Sequence, residues 1–144
     1  METRNWNNDL SDGKKAEELI RSWFGGQLGF NDLKVVCEVK NNWYGMNICI
    51  EEDSVVEQNK KGWIYTSQAD NVIFVDLKNE QAVLIEMHDL QDTYNEIKEE
   101  YELKEQQTSK ENTTWTSRHR WLPVNKFTHI FLRRFIVTNR HARH

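Results

Sequence analysis

Two side chains in the first half of the chain have the types and the spacing needed for phosphodiester chemistry. Glu38 and Lys40 are separated by Val39 in a run of residues with strand character. Because side chains two apart on a β-strand leave the same face, with Cα atoms about 7 Å apart, both can reach one small site. A carboxylate holds Mg²⁺ through its oxygens, the metal lowers the pKa of bound water, and a nearby ammonium positions that water or offsets charge on the phosphorane. The alternative for such a pair is a solvated strand edge.

Two carboxylates upstream can complete a metal site. Glu17 falls close to Ile20 and Phe24 on a helical wheel, and a carboxylate near a buried face needs a partner or a cation. Asp32 lies on the same side of the strand as Glu38 by alternation, although six residues of straight strand span roughly 20 Å, so a bend is required. The alternatives are an exposed helix acid for Glu17 and a turn acid for Asp32.

The charge of the chain is divided unevenly along its length. The formal net charge is −4, but residues 76–111 carry 11 acids and 4 lysines, whereas residues 118–144 carry 7 basic residues and no acid. A basic segment of this density suits phosphate contacts, and a solvated basic tail is the alternative. The residues predicted to contact nucleic acid are Arg118, Arg120, Lys126, Arg133 and Arg134. Trp115 and Trp121 lie among these cations, where an aromatic ring can stack on a base or pack in the core.

Other common site chemistries find no support in the sequence. The five histidines and two cysteines form no recognised zinc spacing, and neither a glycine-rich phosphate loop nor a Gly-x-Ser-x-Gly turn is present. Cys37 and Cys49 are expected to be buried thiols, because a small secreted fold usually contains more cysteines. A length of 144 residues fits one domain over residues 1–144. With no apolar run of roughly 20 residues, we expect a cytoplasmic protein without membrane contact.

Periodicity predicts an α/β domain, with one mixed β-sheet and helices packed against it. The first helix is built on Ala16, Leu19 and Ile20 and ends at the glycine pair 25–26. The remaining elements are expected as strands over 33–40, 46–51, 72–77 and 81–85, a loop over 53–62, a helix over 88–103, a mobile connection over 104–112, an extended segment over 113–122 and a helix after Pro123 that reaches Phe135.

Four stretches of the chain resemble the PD-(D/E)XK nuclease superfamily, which includes Holliday-junction resolvases and small phage-encoded nucleases. GKKAEEL at residues 13–19 resembles the first-helix motif, and VCEVK at 36–40 resembles the strand that bears the acid and the lysine. YGMNICIE at 44–51, followed by KGWIYTSQAD at 61–70, is similar to a hairpin and a "Gly-Ile, Thr, Ala-Asp" stretch of phage members. WLPV at 121–124 resembles their late passage from strand to helix, so the likeness covers about residues 13–131.

The resemblance implies a restriction-endonuclease-like mixed β-sheet flanked by helices, and a Mg²⁺ or Mn²⁺ site. Glu38 would bind the metal, the carbonyl of Val39 would add a ligand, Lys40 would assist the attacking water, and Glu17 would be an accessory ligand. The family's aspartate usually lies about ten residues before the glutamate, where this chain has Leu28, so either Asp32 substitutes or the site is incomplete. Glu51, at the end of the neighbouring strand, is the other candidate for that role.

Three functions follow as hypotheses. The first is a metal-dependent nuclease acting on DNA, branched or single-stranded, with a homodimer plausible because cutting two strands requires two symmetry-related sites. The second is an inactive module of the nuclease fold that binds nucleic acid or an acidic partner through its basic segment. The third is a virus-encoded or phage-encoded effector that binds a host protein.

Overall fold

The computed structural model describes residues 3–5, 14–22, 33–43 and 45–136, which form a mixed α/β fold with two sheets and a few helices. Residues 14–22 are helical and are called α1 here; α2 is Trp63–Thr66 and α3 is Met87–Ile97. Short 3-10 helices cover Val56–Gln58, Lys98–Glu100 and Val124–Ile130. The strands are β1 Thr3–Asn5, β2 Leu33–Val36, β3 Val39–Asn42, β4 Gly45–Val55, β5 Lys60–Lys61, β6 Asn71–Asp76, β7 Gln81–Glu86, β8 Lys104–Lys110, β9 Thr113–Pro123 and β10 Phe131–Ile136.

Sheet I contains six strands in the order β1-β8-β9-β4-β3, with β5 also paired to β4. Its longest neighbours, β4 and β9, are antiparallel, and Cys49 lies opposite Trp121. The hairpin of β3 and β4 is antiparallel as well, with Lys40 opposite Asn47. The predicted pairing of the strand containing Lys40 with the Ile-rich strand after it is confirmed.

Sheet II contains four strands in the order β10-β7-β6-β2. β2 and β6 run parallel, whereas β6 pairs with β7, and β7 with β10, in antiparallel fashion. The sequence predicted a single mixed sheet, and the presence of two sheets is therefore a correction. Residues 33–42 contribute a strand to each sheet, because β2 belongs to sheet II and β3 to sheet I.

The main core lies between the two sheets. Ile48, Ile50 and Leu122 from sheet I meet Phe74 and Ile85 from sheet II, and all five are fully buried. Burial of each such side chain contributes about 1.5–3 kcal/mol relative to exposure. α3 closes this core with Leu90 and Tyr94, which lie one helical turn apart on its buried face.

A second core covers the other face of sheet II. Ala16 and Ile20 of α1 pack there with Ile73, Val75 and Phe135. β6 is therefore covered on both faces, which explains why it is apolar at consecutive positions instead of alternating. The order of layers is α1, sheet II, main core and sheet I.

The structure corrects two predicted elements in the second half of the chain. Residues 104–112 were expected to be a mobile connection because they lack apolar side chains, but Lys104–Lys110 form β8, whose backbone pairs with β1 on one side and β9 on the other. The predicted C-terminal helix is a 3-10 helix that ends at Ile130, after which β10 pairs with β7. In both places tertiary backbone pairing overrides local propensity. Within the described ranges, no helix has the length and apolar character needed to cross a membrane.

Candidate nucleic-acid interface

The backbone turns sharply at Glu38, where the chain passes from sheet II to sheet I. The Val39 N–H donates to the Cys37 carbonyl at 3.1 Å, which makes Glu38 the central residue of a three-residue turn. The Glu38 carbonyl accepts from the Cys49 N–H at 3.2 Å. Cys37 packs against the core under α1, whereas Val39 packs against the main core. The expected continuous strand over residues 33–40 is therefore wrong, and the same-face argument for Glu38 and Lys40 loses its basis.

Lys40 extends from the outer face of sheet I. Its neighbour Val39 contacts the main core, so alternation along β3 directs the Lys40 side chain away from that core. The Lys40 Nζ lies 4.5 Å from the centroid of the Trp121 ring. Such a cation–π contact contributes roughly 0.5–1 kcal/mol at an exposed site. The ring therefore holds the ammonium at a defined position on the surface.

A cleft of about 380 Å³ opens beside this pair, and we call it the lysine cleft. Two of its lining residues are the cations Lys40 and Lys104, and none of the lining residues that the structure describes is a carboxylate. Lys104 on β8 lies opposite His119 on β9, so the two side chains share a face of sheet I. Trp121 is two residues after His119 on β9 and therefore lies on the same face. The described lining residues are Lys40, Asn41, Asn42, Asn47, Tyr101, Lys104, Trp121 and Pro123.

A second cleft, of about 240 Å³, adjoins the first on the other side of the β3–β4 hairpin, and we call it the arginine cleft. Asn41 and Pro123 line both clefts, so the two share a wall. Arg134 from β10 lines the arginine cleft, and its side chain is exposed. The two clefts together place three cations around one hairpin.

A buried carboxylate, Asp76, fixes the hairpin to sheet II. It is 1% exposed and accepts hydrogen bonds from the Asn41 Nδ2 at 2.7 Å, the Gln81 Nε2 at 3.0 Å, and both the backbone N–H and Nδ2 of Asn79. Burial alone would raise the pKa of Asp76, but the hydrogen bonds from Asn79, Gln81 and Asn41 outweigh it and lower the pKa below the ordinary 3.8. The Asn41 contact joins β3 to the end of β6, and so positions the strand that carries Lys40.

The structure does not bring all the predicted metal ligands together. Glu17 is exposed on α1, which packs on the far face of sheet II, so the expectation that it lies near the buried face is wrong. Lys40, by contrast, lies on the outer face of sheet I. Glu51 is half-buried on β4 opposite His119, and Asp32 lies outside the described residues.

The fit of a divalent cation to this region is incomplete. Within residues 14–22, 33–43 and 45–136, no group of three or more His, Cys, Asp or Glu side chains is arranged to hold a metal ion. Glu38 is half-buried at the turn, two residues before Lys40 in the chain. The described residues alone therefore do not complete the ligand set that the resemblance implies.

The five predicted nucleic-acid contacts separate into different environments. The expectation that Arg120 offers its charge to nucleic acid at the surface is corrected, because Arg120 is 7% exposed and its guanidinium binds Glu52 and the Tyr101 carbonyl. Arg118 is half-buried and pairs with Glu105 at 3.0 Å, and the Arg133 guanidinium lies 4.7 Å from the Phe135 ring centroid. Lys126 and Arg134 are exposed, and Arg134 alone of the five lines one of the two clefts.

Arg120 belongs to a buried polar network inside the main core. The Tyr94 hydroxyl donates to Glu52 at 2.6 Å, and Arg120 donates to the same carboxylate oxygen. Burial, followed by the hydrogen bond to Glu52, raises the pKa of Tyr94. Each of these polar groups therefore has a partner, and the network connects α3 with β4 and β9.

Sequence reasoning missed three features of this region of the molecule. Lys104 was not selected, because it lies within the acid-rich residues 76–111 and begins the segment that was expected to be a mobile connection. Trp43 was treated only as part of a turn, although a large aromatic side chain beside two asparagines in a turn is an unusual choice. Asp76 was counted only as part of the acidic segment, although its position at a strand end followed by Asn79 is typical of a side chain that caps a turn.

Comparison of the chain with family models, with curated protein sequences and with solved structures found no match.

Proposed function

We propose that this protein binds nucleic acid along the surface formed by the lysine cleft and the arginine cleft. The observation that carries the proposal is the lysine cleft itself, where Lys40 lies over the Trp121 ring, Lys104 is a second cation, and no carboxylate is among the described lining residues. Cations bind backbone phosphates, and aromatic rings bind the faces of bases. This is the second of the sequence-based hypotheses, with the binding surface moved from the basic segment to the hairpin.

Charge reversal at the two lysines tests this proposal. We expect Lys40→Glu with Lys104→Glu to abolish binding of a short fluorescein-labelled DNA strand, measured by fluorescence anisotropy at low salt, because two attractive contacts become repulsive. The matched control is Lys14→Glu with Lys15→Glu, which makes the same change of charge on exposed positions of α1. Equal losses in both variants would show a general charge effect and remove the cleft from the proposal.

Metal-dependent cleavage of DNA is the second candidate function. Glu38 lies just beyond the carboxyl end of β2, which runs parallel to β6, and ligands of α/β proteins commonly bind outside the carboxyl ends of such strands. Lys40, two residues later, lines the lysine cleft. This placement and the sequence likeness support the second candidate function. The same candidate includes the proposal that the observed α/β fold is of the restriction-endonuclease-like type.

Cleavage and binding are separable by one substitution. If the second candidate is correct, the wild-type protein cuts duplex, single-stranded or four-way-junction DNA in Mg²⁺ or Mn²⁺ but not in EDTA, and Glu38→Gln stops cutting while anisotropy shows retained binding. An Asp32→Asn variant tests the remaining predicted ligand in the same gel assay. Binding without cutting under every metal condition leaves the protein as a binding module.

A further inference from the structure

Trp43 is the most exposed large apolar side chain described in the molecule. It stands at the tip of the β3–β4 hairpin and is 94% exposed. Gly45, two residues later, has φ of 122°, a conformation that a side chain would strain, and so the turn is built around this glycine. The hairpin tip thus presents an indole ring to solvent.

Residues on the two sides of Trp43 in the hairpin line the two clefts. Asn42, directly before Trp43, lines the lysine cleft, and Gly45 lines the arginine cleft. Asn41 lines both clefts and is fixed by its 2.7 Å hydrogen bond to Asp76. A nucleic-acid strand whose phosphates contact the cations of either cleft would therefore pass beside this hairpin tip.

We propose that Trp43 stacks on an unpaired base of the bound strand, so that the protein prefers single-stranded nucleic acid to a continuous duplex. This inference rests on the proposed function and names its substrate class. Bases inside a duplex are already stacked on their neighbours, whereas an unpaired base offers a free face to an aromatic side chain. The cations on both sides of the hairpin favour a nucleic acid over an apolar protein surface as the partner of the ring, because desolvating them against apolar groups is costly.

Anisotropy titrations with a single strand and with a blunt duplex of the same sequence test the inference. We expect Trp43→Ala to weaken single-strand binding by roughly 5-fold to 100-fold, the range for loss of one base–aromatic stack. Duplex binding should be unchanged, and Trp43→Phe should restore most of the single-strand affinity. The matched control is Leu132→Ala, which removes an exposed apolar side chain on β10 that lines neither cleft.

The outcomes separate this inference from the proposal beneath it. If the Lys40→Glu, Lys104→Glu variant loses binding while Trp43→Ala keeps it, the stacking role is overturned and the binding surface stands. Equal weakening of single-strand and duplex binding by Trp43→Ala, or an equal loss in Leu132→Ala, also overturns it. If the wild-type protein binds neither DNA, the proposed function fails, and the substrate class fails with it. Thermal melting of each variant reports whether the fold is retained, which is expected for Trp43→Ala because the ring is almost wholly in solvent.

Discussion

The ammonium of Lys40 lies over the ring of Trp121, and both side chains line one cleft with Lys104, although Lys104 is 64 residues and Trp121 is 81 residues after Lys40 in the chain. Sequence reasoning selected Lys40 because of its spacing from Glu38. In the structure the position of the Lys40 side chain depends instead on its contact with Trp121 and on the alternation of β3, which directs this side chain away from the main core. A lysine held by a ring loses less conformational freedom on binding a phosphate than one free in solvent. Single residues here acquire their role from neighbours distant in sequence.

The carboxylate of Asp76 accepts a hydrogen bond from Asn41 of the hairpin, and so its charge is expected to stabilise the hairpin. We expect Asp76→Asn to lower the free energy of unfolding at pH 7 by about 2–3 kcal/mol, because the amide N–H₂ of a buried asparagine would face the Asn41, Asn79 and Gln81 donors that now share a carboxylate. The measurement is urea unfolding followed by tryptophan fluorescence.

The pH dependence gives this prediction its sign. The folded-state pKa of Asp76 is lowered, so its contribution is present above the unfolded value of 3.8 and is lost as the pH falls through the folded value. The stability gap between wild type and Asp76→Asn should therefore narrow below about pH 4. Asp70→Asn, at an exposed bend, is the control and should show no such gap. A gap that widens in acid would contradict the assignment.

At the scale of the elements, the passage of the chain from sheet II to sheet I between β2 and β3 determines where Glu38 and Lys40 lie. A single strand over residues 33–40 would place Glu38 and Lys40 on one face, but the turn at Glu38 moves the chain into a second sheet after four residues of β2. No change of composition marks this point, since VVCEVKNN is compatible with strand throughout. The turn is stabilised by the Cys49 N–H, a partner that only the folded hairpin supplies.

The Glu52–Arg120–Tyr94 network joins elements that are far apart in the chain, and breaking it should cost much more than a surface pair. We expect Arg120→Met to lower the free energy of unfolding by about 3–5 kcal/mol, because Glu52 would remain buried without its cation. Adding Glu52→Gln should recover more than half of the loss, since Gln still accepts from the Tyr94 hydroxyl and carries no charge. Urea unfolding of the two single variants and the double variant measures the coupling.

The matched control uses the neighbouring arginine. Arg118→Met removes a partly exposed pair with Glu105 and should cost less than about 1 kcal/mol. If Arg118→Met and Arg120→Met are equally destabilising, the buried network has no special importance for stability.

The whole molecule carries a net charge of −4, so attraction to a polyanion must come from a local surface. Under the proposed function Lys40, Lys104 and Arg134 supply that surface, and we expect neutralisation of three phosphates of a single strand to give a log–log slope of affinity against salt of about −2. We expect Lys104→Ala to make this slope shallower by about 0.7. The slope is obtained from anisotropy titrations at several salt concentrations, with Lys14→Ala as the control. An unchanged slope in Lys104→Ala would exclude a phosphate contact at that lysine.

Local patterns in the sequence determined the α/β composition, the first helix, most strands and the apolar positions of α3, because burial periodicity is written into neighbouring residues. They also selected Lys40 as a candidate site residue, and they placed Arg134 among the cations predicted to contact nucleic acid. Only the tertiary structure decided that the strands form two sheets, that residues 104–110 are a strand, that Arg120 is buried, and that Lys104, Trp121 and the hairpin tip share one surface. These outcomes depend on backbone pairing and charge burial between segments tens of residues apart, which local periodicity does not encode.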